Sequence, residues 1–350
     1  MERVLKKTIN VGNIAIGGDN PISIQSMCNT HTQDIVKTVE QINRLTEAGC
    51  EIIRVAVPNI EAAEAIKLIK KEISIPIIAD IHFDYKLAIE SIKSGVDALR
   101  LNPGNIGSEN NVKAVIDHAK ERKIPIRIGV NSGSLQKDKL EKYGVCAKAI
   151  VESALEHVSI LEKLHYEEIK ISVKASSVPL TIESYRLLSS LCPYPLHLGV
   201  TESGTEFAGT IKSSVGIGTL LAEGIGDTIR VSLTDDPIKE IHVAKQILKS
   251  LGLRKGLEII SCPTCGRTQI NLIELAKRVE KALDSFEKKE LTIAVMGCEV
   301  NGPGEAREAD FGIAGGKGQG LIFQKGQIIK KVPEEDLLNE LIEIIKHNSN

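Results

Sequence analysis

The chain has 350 residues, 42% of them hydrophobic and 26% charged, and 44 basic against 46 acidic side chains leave a formal net charge of −2. This composition supports one large folded domain and a smaller one, and its near-neutral balance gives no basic footprint for nucleic acid. Aromatic residues make up 3% with no Trp, which argues against base-stacking platforms and membrane-interface belts, and seven cysteines, an odd number, exclude a complete disulfide framework.

Met1 to Lys7 leads into Gly- and Asn-punctuated sequence instead of the apolar run of a signal peptide, and no stretch approaches the roughly 18 apolar residues that span a bilayer. A cytoplasmic protein with reduced thiols is expected, with neither a membrane nor a nucleic-acid partner. Thr8 to Ile16, with Gly12-Asn13 between apolar alternations, predicts a hairpin. Short apolar runs then alternate with amphipathic stretches. The runs are Ile22 to Met27, Glu51 to Val57, Pro76 to Ile81, Ala98 to Asn102, Pro125 to Val130, Ile169 to Lys174, Pro195 to Val200 and Thr228 to Leu233. Between the first two, Ile35, Val39, Ile42 and Leu45 mark one helical face, with Asp34 as N-cap and Gly49 as the stop. Eight near-regular βα units predict an α/β fold of the TIM (β/α)8 barrel kind, its bottom plugged by the hairpin. A doubly wound sheet is the alternative. The polar insert Asn131 to Tyr143 predicts a loop reaching over the barrel mouth.

Beyond Leu251 to Gly256 the pattern changes to a strand Leu257 to Ser261, a helix from Thr268 to Asp284 and a strand Leu291 to Met296. Short strands near Phe311 to Ala314 and Gly320 to Gln324, then Gln327 to Val332 and a terminal helix, complete a second, α+β domain. The expected division is 1–255 and 256–350. Gly315 to Gly320 reads as a tight turn and not a phosphate loop, because no Ser or Thr follows Lys317.

Four arginines interrupt otherwise apolar barrel strands: Arg54, Arg100, Arg127 and Arg230. Lys174 and His197 occupy comparable places, and Asp80 and His82 follow the third run. A buried guanidinium needs a partner. Arg54, Arg100, Arg127, Lys174 and Arg230 against Asp80 and Glu202 leave an excess of +3 near the strands' C-terminal ends. A small phosphorylated substrate, a diphosphate among the candidates, would balance it. Asn102, Asn131 and Ser232 add neutral donors, and Glu202 is a candidate general acid or base. The competing reading pairs each arginine with a carboxylate elsewhere in the fold.

Cys262-Pro-Thr-Cys265 closes one strand of the second domain, and Cys298 closes another. Three thiols on one point suit three irons of a [4Fe-4S] cube. A zinc site, with Cys-x2-Cys as its cue, and a dithiol are the rivals. Cys28, Cys50, Cys146 and Cys192 share no motif and read as buried, inert thiols.

Several blocks carry a resemblance along the whole chain: Ser26-Met-Cys-Asn-Thr, Arg54-Val-Ala-Val-Pro, Ala79-Asp-Ile-His-Phe, Leu99-Arg-Leu-Asn-Pro-Gly-Asn, Ile128-Gly-Val-Asn-Ser-Gly, His197-Leu-Gly-Val-Thr-Glu-Ser-Gly, Arg230-Val-Ser-Leu-Thr, Cys262-Pro-Thr-Cys-Gly-Arg and Met296-Gly-Cys-Glu-Val-Asn-Gly-Pro-Gly-Glu. In this order they resemble the bacterial, two-domain 4-hydroxy-3-methylbut-2-enyl diphosphate synthases of the non-mevalonate isoprenoid pathway. The resemblance implies a barrel that binds 2-C-methyl-D-erythritol 2,4-cyclodiphosphate and a cluster domain that opens its ring reductively. It implies cluster ligation by Cys262, Cys265, Cys298 and Glu305. Substrate contacts are implied at Arg54, Arg100, Asn102, Arg127, Asn131, Lys174, His197, Arg230 and Ser232, with Glu202 as the barrel-side acid or base and Glu305 as the displaceable ligand. Reduced flavodoxin or ferredoxin as donor and a head-to-tail homodimer are further implications. Read from the residues alone, a pterin-binding-type barrel transferase with structural zinc and a non-catalytic electron carrier remain as alternatives.

Overall fold

The computed structural model describes residues 2–283, 286, 289–298, 304 and 306–348, with only the backbone at 134. It divides into two compact units, Met1–Leu253 and Arg254–Asn350.

The first unit opens with a hairpin, β1 (Ile9–Val11) and β2 (Ile14–Ile16). Eight parallel strands follow: β3 (Ser23–Met27), β4 (Ile52–Ala56), β5 (Ile77–Asp80), β6 (Ala98–Arg100), β7 (Ile126–Asn131), β8 (Ile169–Lys174), β9 (His197–Leu198) and β10 (Thr228–Ile229). They pair in the order β8-β7-β6-β5-β4-β3-β10-β9, and a parallel bridge between Ile171 and Leu196 closes the ring. All eight expected strands are present, so the sheet is a barrel and not an open doubly wound one. The last two are shorter than their apolar runs; Pro195, at the start of one run, has no N–H for the ladder.

Helices follow the strands: α1 (Ile35–Ala48), α2 (Ile60–Glu72), α3 (Tyr85–Lys93), α4 (Glu109–Arg122), α5 (Lys137–Tyr143), α6 (Ala147–Lys163), α7 (Val178–Leu191), α8 (Glu206–Ala222) and α9 (Pro237–Ser250). The side chain of Asp34 accepts from the Lys37 amide, and Gly49 ends α1 in the left-handed region at φ +106°, the cap and stop that the sequence predicts. The insert 131–143, expected as a loop, holds α5, because its Lys-Asp-Lys-Leu-Glu-Lys run is made of helix-compatible residues.

Strand alternation builds two layers. Ile53 and Val55 of β4, Ile77 and Ala79 of β5, and Ile169, Ile171 and Val173 of β8 join the helices in the large apolar core. The other side chains of each strand face the ring interior. At its floor Ile52, Ile78 and Ala98 pack on Ile9, Val11 and Ile16, so the hairpin plugs one end.

The second unit comprises β11 (Leu257–Ser261), α10 (Leu272–Leu283), β12 (Leu291–Met296), β13 (Phe311–Gly315), β14 (Gln319–Gln324), β15 (Gln327–Pro333) and α11 (Leu337–His347). The sheet runs β11-β12-β13-β14-β15, the first three strands parallel and the rest antiparallel. Leu272, Val279 and Leu283 of α10 and Leu337, Leu341 and Ile345 of α11 bury against Ile293, Ile313 and Ile322. α10 starts at Leu272 instead of Thr268, because Thr268 accepts the Cys265 amide through its hydroxyl while Asn271 caps the Glu274 amide. Asp284, the expected helix end, lies outside the described residues. The Gly315 to Gly320 segment is the β13–β14 turn, closed by Gly316 N–H to Gln319 O at 2.8 Å. Among the described residues no helix is long and apolar enough to cross a membrane.

Candidate active site

Parallel register places the interrupting charges side by side. Asp80 pairs with Arg100, Arg100 with Arg127, and Asn131 with Lys174 across β5, β6, β7 and β8. Alternation turns all of them into the ring. At the strands' C-terminal ends they surround a cavity of about 150 Å³ lined by Arg54, Arg100, Arg127, Asn131, Lys174, Arg230 and Ser232. Asp80 and His82 complete it, together with Gly129, Ser172 and Thr201, none of which stands out in the sequence as a site residue.

The guanidiniums outnumber their partners. Asp80 serves two of them, with Oδ1 3.5 Å from Arg100 and Oδ2 3.9 Å from Arg54, and His82 Nε2 lies 3.4 Å from Oδ2. Arg230 Nε stands 3.6 Å from Glu240 Oε2. Arg127 donates to Ser172 Oγ at 2.9 Å, while its Nε and Nη2 have no hydrogen-bond partner among the described residues. Arg54 also donates to the Met27 sulfur, at 3.1 and 2.8 Å, and Arg230 at 3.6 Å. A thioether is a weak acceptor. Largely buried arginines resting on sulfur form a cradle suited to an anion with several oxygen acceptors.

Burial opposes ionisation of Asp80, yet the His82 hydrogen bond and the Arg54, Arg100 and Arg127 guanidiniums hold its carboxyl well below the usual range. Burial and the nearby Arg54 and Arg100 disfavour charge on Arg127. Burial, then Arg127 and Arg230, push the Lys174 amine well below its ordinary value.

Three predicted barrel residues sit apart from the cavity lining. Asn102 is buried and clamps the next strand, with its Nδ2 donating to Gly129 O and its Oδ1 accepting from Gly129 N–H, both at 2.9 Å. His197 is fully buried in the ring interior, and neither ring nitrogen has a hydrogen-bond partner among the described residues. Glu202 is exposed after β9 and holds a left-handed backbone at φ +53°, a conformation costly for a residue with a Cβ. The buried carboxylate that joins Asp80 in the charge balance is therefore Glu240, not Glu202. Glu240 lies in the first turn of α9 and also accepts from Ser26 Oγ and the Leu233 amide. Its only sequence signal is a Glu shortly after Asp236-Pro237, which reads as a solvated helix start. Two inward glycines make room for the cations. A Cβ at Gly199 would collide with the Lys174 amine and with Arg230 O at 2.7 Å, and one at Gly129 would press on Arg100 Nε at 3.2 Å.

In the second unit, β11 and β12 are parallel neighbours that end together. Cys262 follows the first and Cys298 the second; Cys262 N–H donates to Val295 O at 3.3 Å, and Gly297 N–H points to Cys262 Sγ at 3.2 Å. An amide aimed at sulfur suits a thiolate that binds metal. Cys265 is exposed, and a hydrogen bond from the Arg267 backbone lowers its thiol below the ordinary value. Glu305 lies outside the described residues, and among those described no three His, Cys, Asp or Glu side chains gather to hold a single metal ion. Cys28 and Cys50 are buried with thiols pushed up to about 12 by burial, and burial also raises Cys192; Cys146 is half-buried.

Comparison with known proteins bears on both units. The description "GcpE TIM-barrel domain" matches residues 6–245, and "GcpE protein C-terminal domain" matches 258–347. The 4-hydroxy-3-methylbut-2-en-1-yl diphosphate synthase (flavodoxin) of Clostridium tetani is 62% identical over 349 residues, covering 99% of this chain and 100% of the relative. Those of Clostridium perfringens and Geobacter sulfurreducens are 63% and 61% identical, covering 99% and 96% of each chain. Among solved structures, the Yersinia pestis dihydropteroate synthase aligns with TM-score 0.52 at 13% identity, covering 71% of this chain and 99% of that one. At that identity the likeness concerns the barrel alone and does not favour a pterin enzyme. The chain belongs to the GcpE family, that of the 4-hydroxy-3-methylbut-2-en-1-yl diphosphate synthases.

Proposed function

We propose that the protein reductively opens 2-C-methyl-D-erythritol 2,4-cyclodiphosphate to 4-hydroxy-3-methylbut-2-enyl diphosphate. The observation that carries this reading is the cavity of buried guanidiniums with too few carboxylates, in a chain that also ends two neighbouring strands in cysteines. Two electrons and one proton enter, the ring C–O bond to phosphate breaks, and a hydroxyl leaves as water. Arg54, Arg100, Arg127, Arg230 and Lys174 bind the diphosphate, while Asn131 and Ser232 orient it. Asp80 holds Arg54 and Arg100 in the cradle, and Asn102 acts through Gly129 by fixing β6 to β7. Glu202 moves a proton at the departing oxygen, and buried His197 supports the floor beneath the site.

Cys262, Cys265, Cys298 and Glu305 would hold a [4Fe-4S] cluster, which when bound supplies the electrons one at a time. The thiols at adjacent strand ends and the Gly297 amide on Cys262 sulfur support this ligand set. The relatives' names support reduced flavodoxin as the donor. The exposed rings of Phe83 and Phe207, on segments following β5 and β9, support pairing of two chains head to tail over the barrel mouth. Free cysteines support a cytoplasmic setting. Metal analysis of anaerobically purified protein tests the proposal: it should be brown with about four irons per chain, and a colourless protein with stoichiometric zinc would overturn it in favour of a structural metal.

A further inference from the structure

Beneath the anion site the barrel interior is polar on one side. Alternation along β8 turns Lys170 inward in line with Ser172 and Lys174. Register sets Lys170 beside Arg127, and sets His197 beside Thr228 on β9 and β10. Lys170 is 1% and His197 0% exposed, and Lys170 Nζ, both His197 nitrogens and Thr228 Oγ1 have no hydrogen-bond partner among the described residues. The opposite side of the floor is closed by the apolar plug on Ile52, Ile78 and Ala98. A buried amine without a partner costs the fold free energy.

The charge around these amines is lopsided. Four guanidiniums, which stay protonated, face the carboxylates of Asp80 and Glu240, a balance of +2 before either lysine is counted. The charges that act most strongly on Lys174 are those of Arg127, Arg230, Arg54 and Glu240; those that act most strongly on Lys170 are Arg127, Asp227 and Arg54. Asp227 is already engaged by the Leu196 amide at 2.7 Å and by Arg3 at 3.0 Å. Neither amine therefore has a carboxylate of its own. Burial and the guanidiniums push Lys170 down to about 7, and hold His197, whose neighbours include both amines, well below its ordinary value. A dianion placed in the cavity cancels the +2 field and reverses the preference of the amines.

We propose that the buried amines of Lys170 and Lys174 take up a proton when the cyclic diphosphate binds, so that the anion and a proton enter the barrel together. Buried, neutral His197 lies within electrostatic reach of both amines and adds no charge of its own to the pocket. The inference rests on the substrate reading above. It adds to that reading a proton store made by Lys174 in the cavity wall and Lys170 below it.

Calorimetric titration of the full-length protein with 2-C-methyl-D-erythritol 2,4-cyclodiphosphate, without reductant so that no turnover occurs, tests it. The ligand has no group that titrates near neutrality, so protons counted by comparing buffers of different ionisation enthalpy belong to the protein. At about pH 7.5 uptake of about one proton per site is expected, shrinking below pH 6 and falling by at least half in Lys170→Met with saturable binding retained. Saturable binding with no buffer dependence would defeat the proton store and leave the substrate reading standing. Uptake unchanged in both Lys170→Met and Lys174→Met would likewise defeat it, by assigning the proton elsewhere. No binding at all would remove both readings.

Discussion

In the barrel the site is assembled one side chain at a time from neighbouring strands, each at an inward register position and each largely buried, whereas in the small unit it comes from two strand ends and a turn whose thiols range from buried to exposed. The barrel holds its cations in place through strand register and two carboxylates, so the cradle exists before an anion arrives. The small unit presents soft ligands at the edge of a five-stranded sheet, where the metal group itself must fix them. One region is preorganised by the fold and the other is completed by what it binds. Substitutions should therefore fail in different ways in the two places.

The largest effect is expected at the strand ends. Cys298→Ser should abolish iron retention and turnover together while the barrel still binds cyclodiphosphate, measured by iron assay and calorimetry; retained cluster in that variant would contradict the ligand set. Glu305→Ala should weaken cluster retention or turnover less severely. In the barrel, Arg127→Ala removes a buried guanidinium and should weaken substrate binding on the order of 100-fold, with iron content unchanged.

The next effect is on stability. Lys170 is pushed down to about 7 in the folded chain, against about 10.4 when unfolded. Between those values the unfolded chain binds more protons, so stability rises with pH across that window and is lost as pH falls toward 7. Lys170→Met removes this penalty. It should raise the thermal midpoint near pH 7, with an advantage on the order of a few kcal/mol that vanishes as pH nears 10; an equal gain at both pH values would point to packing alone. The smallest effect is expected at Gly129→Ala, where the new Cβ presses on the Ser172 hydroxyl and the Arg100 guanidinium, both of them side chains that can give way. KM should rise by about 10-fold, for a local cost of ~1–3 kcal/mol, with little change in kcat.

The same contrast explains what could be read from the residues. Barrel strands were legible because parallel strands buried on both faces are near-continuous apolar runs, and an arginine within such a run stands out against them. Cys262, Cys265 and Cys298 were legible because their motifs are local. Glu240 was not, because a Glu in a first helical turn looks solvated until the β3 and β10 segments close over it. Asn102 and Asn131 look alike in sequence, yet tertiary pairing turns one onto the Gly129 backbone and the other into the cavity. Gly129 and Gly199 lie within the blocks that carry the resemblance but do not stand out there as site residues, since their importance lies in side chains that cross over them from neighbouring strands.

The decisive experiment is anaerobic turnover of 2-C-methyl-D-erythritol 2,4-cyclodiphosphate by the iron-loaded protein with reduced flavodoxin. 4-Hydroxy-3-methylbut-2-enyl diphosphate should form with two electrons consumed per molecule, and that activity should be lost in Cys298→Ser. Iron-loaded protein that binds the cyclodiphosphate and accepts electrons from flavodoxin but yields no ring-opened product would contradict the proposed function.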